Sequence, residues 1–156
     1  MSTVGRLVTV LENFLDAAPS VESAAVTTPD GWPVVCALPD GFEESRLAAM
    51  SASVLVLAER IAGELGKGEV NHAYVSGDNG QAIIMPAGPD GMFVVTTYPT
   101  AKIGLVLFEM RRSARQIATV MDSYRAVDEL KVVVADEAAP GGRVVDLTEV
   151  DIHESQ

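Results

Sequence analysis

Few residues in this chain have the type and spacing that chemistry demands. The single cysteine, Cys36, stands in a short apolar run with no histidine or base beside it. Nothing there lowers its pKa, so it reads as a buried, inert thiol and not a nucleophile. The two histidines, His72 and His153, lie far apart. His72 follows polar Asn71 and has no visible partner that would make it a general base. Gly66-Lys67-Gly68 lacks the hydroxyl residue that would hold magnesium, and it ends a helical pattern instead of opening one. It is a helix cap, not a phosphate loop. Gly88-Pro89-Asp90-Gly91 joins two strand-like runs, so no helix N-terminus stands behind it to bind phosphate. The acids Asp136, Glu137, Asp146, Glu149, Asp151 and Glu154 lack calcium-loop spacing. One cysteine excludes both a disulfide framework and a CxxC zinc site. The sequence therefore predicts no catalytic residue, no metal and no cofactor.

One concentrated basic feature remains, Arg111, Arg112 and Arg115 beside Glu109. On a helix, Arg111 and Arg115 share one side. Two readings stand: a solvated face paired with nearby acids, or a docking site for an acidic partner.

Composition narrows the partners further. The chain has 156 residues, 48% apolar and 21% charged, enough for one globular domain. Its 22 acids against 11 bases give a net charge of −11. Nucleic acid is an unsuitable partner, since it requires a basic patch that displaces counterions. An anionic membrane surface is equally unsuitable. The longest nearly apolar stretch, Leu47 to Ala58, is interrupted by Ser51 and Ser53 and is too short to span a bilayer. The first residues lack the apolar run of a signal peptide, so the expected compartment is the cytoplasm.

The elements follow from periodicity and turn chemistry. Leu7, Val10, Leu11, Phe14 and Leu15 give residues 3–17 a helical stripe that Pro19 stops. Val21 to Thr28 and Trp32 to Leu38 read as a hairpin about Pro29-Asp30-Gly31, with Pro33 near a sheet edge. A long helix spans about Glu43 to Leu65, with Glu43 and Glu44 in its first turn. Three strands follow, Glu69 to Ser76, Gln81 to Ala87 and Met92 to Tyr98. The first two are joined by the Asp78-Asn79-Gly80 turn. A last helix runs from about Ala101 to Tyr124. Val132–Val134 and Val144–Leu147 are possible short strands around the linker-like run Ala138–Gly142. Antiparallel runs with interposed helices predict an α+β domain over residues 1–127, then an acidic C-terminal extension over 128–156.

The central helix is apolar on too many sides. Leu47, Met50, Val54, Leu57, Ile61 and Leu65 form one stripe, read as the face that lies on the sheet. Ala48, Ala52, Leu55, Val56, Ala62 and Gly63 form a second, interrupted by Glu59 and Arg60. Either this second face packs beneath another helix of the same chain, or its small residues admit a helix from a second copy. The strand Val70 to Val75, including His72 and Tyr74, carries no Pro or Lys to block a free edge, which predicts pairing with its own copy.

Three segments carry a family resemblance. They are Val21-Glu22-Ser23-Ala24-Ala25-Val26 with Pro29-Asp30-Gly31-Trp32-Pro33-Val34, the Ala-rich helix Leu47–Leu65, and Ile103-Gly104-Leu105-Val106-Leu107-Phe108-Glu109-Met110-Arg111-Arg112-Ser113-Ala114. Over roughly residues 3–123 the chain resembles the roadblock (dynein light chain) family, in particular its prokaryotic branch of small-GTPase regulators. The resemblance implies a five-stranded antiparallel sheet flanked by helices, in the order α-β-β-α-β-β-β-α. It implies a homodimer in which central helices pack together and third strands pair. With the two features above, the expected interface comprises Ala48, Ala52, Leu55, Val56, Glu59, Val70, His72 and Tyr74. It further implies a small Ras-like GTPase as partner, regulated without an arginine finger.

The leading expectation is thus a non-enzymatic, homodimeric interaction module that regulates such a GTPase, with Arg111, Arg112 and Arg115 available for docking. The alternative is a small-ligand sensor or scaffold, with Trp32, Phe93 and Tyr98 lining a pocket.

Overall fold

The computed structural model describes residues 2–127, 133–135 and 144–146. Helix α1 (Thr3–Ala17) begins at Ser2, whose side chain accepts the Gly5 amide at 3.0 Å, satisfying one of the donors that a helix start leaves open. Strands β1 (Val21–Thr27) and β2 (Pro33–Ala37) form the expected hairpin. Its turn is closed by the Thr28 amide donating to the Trp32 carbonyl at 2.8 Å. The Trp32 amide returns to the Thr28 hydroxyl at 3.0 Å. Then come α2 (Glu44–Glu64), β3 (Ala73–Gly77), β4 (Gly80–Pro86), β5 (Met92–Thr97) and α3 (Ile103–Val127).

The five strands lie in the order β3-β4-β5-β1-β2, every neighbouring pair antiparallel. Two short strands continue the sheet past β2. Strand β6 (Val133–Ala135) runs parallel to β2, with Val35 opposite Val133 and Cys36 opposite Val134, and β7 (Val144–Asp146) pairs with β6. Pro33 stands outside that register, as its missing amide hydrogen requires. The expected strands at Val132–Val134 and Val144–Leu147 coincide with β6 and β7 to within a residue at each end. The linker-like run Ala138–Gly142 and the remainder of the extension lie outside the described residues.

Helices α1 and α3 cover one face of the sheet and α2 covers the other. On the first side Leu7, Leu11 and Phe14 meet Met110, Ile117 and Met121 over Val26, Ile83, Phe93 and Val95. Phe14 and Phe93 pack edge to face, with ring centroids 4.9 Å apart at 74°. On the second side Ala52 and Leu55 rest on Ala25, Cys36, Ile84, Met92 and Val94. The alternation of a strand explains the division: Ala24 and Val26 point to one face and Ala25 to the other.

Strand β3 is shorter than expected. It begins at Ala73, not Glu69. Its register sets Ala73 opposite Ile84, so extending it would set residue 71 opposite Pro86. Proline has no amide hydrogen to donate, and the ladder stops there. Val70 and His72 therefore precede the strand instead of belonging to it.

Candidate interaction surfaces

Helix α2 presents its two apolar faces in the opposite sense to the expectation. Ala48, Ala52 and Leu55, assigned to the interface from sequence, are buried against the sheet at 0%, 8% and 6% exposure. The stripe assigned to the sheet is the open one. Met50, Leu57, Ile61 and Leu65 are 53%, 58%, 59% and 65% exposed, while Leu47 and Val54 are half-buried at its border. The cause is steric. The β1–β2 turn lies so close to the helix backbone that only small side chains fit between them, which selects the Ala48-Ser51-Ala52 side. The bulkier stripe is turned outward. Val56 (53% exposed) and Glu59 are exposed, but on a flank of that stripe.

The open stripe adjoins the free edge of the sheet. Strand β3 is the terminal strand, and Tyr74 and Val75 on it are exposed. Ala73 packs with the α2-side core, so by strand alternation Val75 faces the α2 side and Tyr74 the other. Val70 is half-buried against that same core, which removes it from the edge. Contiguous apolar surface thus runs from α2 onto the edge strand. Isolated exposed apolar residues are ordinary, but a contiguous set beside an unpaired strand marks an interface.

His72 is likewise not an edge residue. Together with Asn71 it lines a cleft of about 350 Å³ on the α3 side, facing Arg111 and Arg115. The third arginine turns away: Arg112 Nη1 lies 3.9 Å from Glu109 Oε2, one helical turn back and exposed to solvent. Such a pair contributes little. The structure therefore separates the basic cluster into a cleft-lining pair and a solvated residue.

The three aromatics suggested for a ligand pocket do not converge. Phe93 is fully buried in the core against Phe14. Trp32 is exposed at the β1–β2 turn, whereas the Tyr98 amide donates to Ser20 at the opposite end of β1. Cys36 is buried and free, and burial, with a smaller contribution from the Glu44 charge, pushes its pKa up to about 12. Among the described residues, no three His, Cys, Asp or Glu side chains come together as a metal site, and no helix is long and apolar enough to cross a membrane.

One surface had no counterpart in the sequence reading. Leu105 and Phe108, 65% and 59% exposed, border a groove with Ala17, Pro19 and Ser20 where α1 ends and α3 begins. The signal was the unbroken apolar run Leu105-Val106-Leu107-Phe108, too wide for one buried stripe.

The sequence model of the Roadblock/LC7 domain matches residues 7–97. Two uncharacterised proteins of Methanocaldococcus jannaschii are each 28% identical over 103 residues, covering 66% of this chain and 90% of theirs. Among solved structures, the gliding protein MglB of Thermus thermophilus superimposes with a TM-score of 0.72 at 20% identity, covering 79% of this chain and 93% of that one.

Proposed function

This chain belongs to the Roadblock/LC7 domain family, and on that premise we propose that it is a homodimeric interaction module that regulates a small Ras-like GTPase and contributes no catalytic residue of its own. The observation that carries the dimer is the apolar stripe Met50, Leu57, Ile61 and Leu65 beside the unpaired edge of β3. A second copy satisfies both at once: α2 packs on its counterpart, and β3 pairs with its counterpart to join two sheets. Burying four such side chains on each subunit is worth on the order of 10 kcal/mol before the loss of translational and rotational freedom is counted. The GTPase assignment rests on family membership and on the resemblance to the prokaryotic regulators.

The regulator acts by shape and charge complementarity to the GTPase, on a surface completed only when two copies meet. Arg111, Arg112 and Arg115 are ill-suited as an arginine finger, since they project from the middle of a long helix instead of a loop tip. The test is GTP turnover by a candidate small GTPase, with wild-type protein and with Ile61→Arg. A wild-type effect on turnover or affinity that Ile61→Arg abolishes supports the reading. An equal effect from a monomeric variant contradicts the composite surface.

A further inference from the structure

Helix α3 and the segment leading into β3 enclose a cleft whose chemistry differs from the rest of the surface. Arg111 and Arg115 reach it from successive turns of α3, and His72 and Asn71 reach it from the other side. Its floor is apolar, built from Met85, Pro86 and Ala114 among others. No acidic side chain is among its lining residues, although the chain carries 22 acids and a net charge of −11. Neither cleft arginine has an ion-pair partner among the described residues, whereas Arg112 pairs with Glu109. The His72 Nδ1 is enclosed, and it too has no hydrogen-bond partner among them. An enclosed polar atom without a partner is uncommon and calls for an explanation, which a bound ligand or an ordered water supplies.

We propose that this cleft is an oxyanion site that takes the phosphate group of a small phosphorylated molecule. Two guanidinium groups one helical turn apart each offer a planar fork of N–H donors. The His72 imidazole, on the opposite wall, offers a ring N–H from a third direction, and the Asn71 amide adds a neutral donor. Donors converging from both walls match a tetrahedral group with several oxygens better than a planar carboxylate. The apolar floor leaves room for a short organic body, and about 350 Å³ sets its size near the lower end of small-molecule sites. The net negative charge of the chain disfavours both an anionic membrane and a long acidic protein segment, while a small dianion enters the local positive field. This site is independent of the GTPase assignment and stands or falls separately from it.

The test is NMR titration of the full chain with pyrophosphate, and separately with inorganic phosphate, at fixed ionic strength. The expected result is saturable shifts confined to the His72 ring and to the amides of residues 85–88 and 111–118. Arg111→Gln and Arg115→Gln, both at exposed positions, are expected to weaken binding at least tenfold each and His72→Gln severalfold, with circular dichroism unchanged. Two further arms separate the sources of the anion. Vesicles containing phosphoinositide are expected not to bind the protein, and a poly-glutamate peptide is expected to bind no better than chloride. Absence of shifts at 10 mM pyrophosphate, shifts that Arg115→Gln leaves intact, or tighter binding of the peptide or the vesicles would each overturn the proposal.

Discussion

The backbone of Gly31 presses on Ala49: a Cβ added at Gly31 would stand 3.3 Å from the Ala49 Cα and 3.5 Å from the Ala52 Cβ. The β1–β2 turn therefore fixes how near α2 lies to the sheet, and with it which face of α2 is turned inward. Beside the turn only the alanine and serine side tolerates that approach, so Met50, Leu57, Ile61 and Leu65 face away from their own domain, while Leu55 is the one large side chain of the helix buried with the alanines.

Two arginine substitutions on α2 separate the inward face from the outward one. Ile61→Arg is expected to keep the fold and weaken self-association about 100-fold or more, roughly 2.7 kcal/mol, because it sets an unpaired charge into an apolar contact. Ala52→Arg is expected to unfold the domain, since Ala52 is 8% exposed against the sheet. Circular dichroism and analytical ultracentrifugation of the two variants distinguish these outcomes. A folded, monomeric Ala52→Arg variant beside a dimeric Ile61→Arg would restore the reverse orientation.

The β3–β4 turn depends on Gly80. Its φ is +140°, and a Cβ there would come within 2.1 Å of the Thr97 carbonyl oxygen. Gly80→Ala is expected to destabilise the domain by about 2–3 kcal/mol, from left-handed strain together with the forced shift of β5. Gly41→Ala serves as the comparison: φ is +93°, but the space is open, so the loss is about 1 kcal/mol. Urea midpoints measure both.

Cys36 supplies a pH dependence. Its thiol ordinarily titrates at 9.0, and burial raises that to about 12 in the folded chain. Between these values the unfolded chain releases a proton that the folded chain retains. The stability linked to the neutral thiol is complete below about pH 9 and is lost as pH rises toward 12. A thiol reagent at pH 8 is expected to modify Cys36 only at the rate of unfolding, and fast modification of the native protein would contradict its burial.

The α3 arginines are expected to leave GTP turnover nearly untouched. With a candidate GTPase saturated by this protein, Arg111→Ala and Arg115→Ala should change turnover by less than about tenfold, about 1.4 kcal/mol of barrier. A thousandfold loss at saturation would identify an arginine finger and place the protein in a different mechanistic class.

Much of the architecture was legible because local signals agreed with it. Pro19, Pro29-Asp30-Gly31 and Asp78-Asn79-Gly80 mark element ends by backbone chemistry that acts over a few residues. The beginning of β3 was not legible, because Val70 and His72 have strand-like neighbours and the interruption comes from Pro86 across the ladder. The orientation of α2 was not legible for a related reason. Size alone sends Leu57 and Ile61 inward, and the constraint that reverses them comes from Gly31, in the preceding hairpin turn, which meets the helix at Ala48, Ala49 and Ala52. The convergence of His72 with Arg111 and Arg115 likewise follows from tertiary contact and leaves no trace in spacing.

The central claim is that the outward stripe of α2 and the edge of β3 are covered by a second copy of this chain. Light scattering coupled to gel filtration, with the wild-type protein at tens of micromolar, tests it most directly. The account predicts a mass about twice the 16.4 kDa of the chain, falling to a single chain for Ile61→Arg. A wild-type mass of 16.4 kDa at that concentration would contradict it.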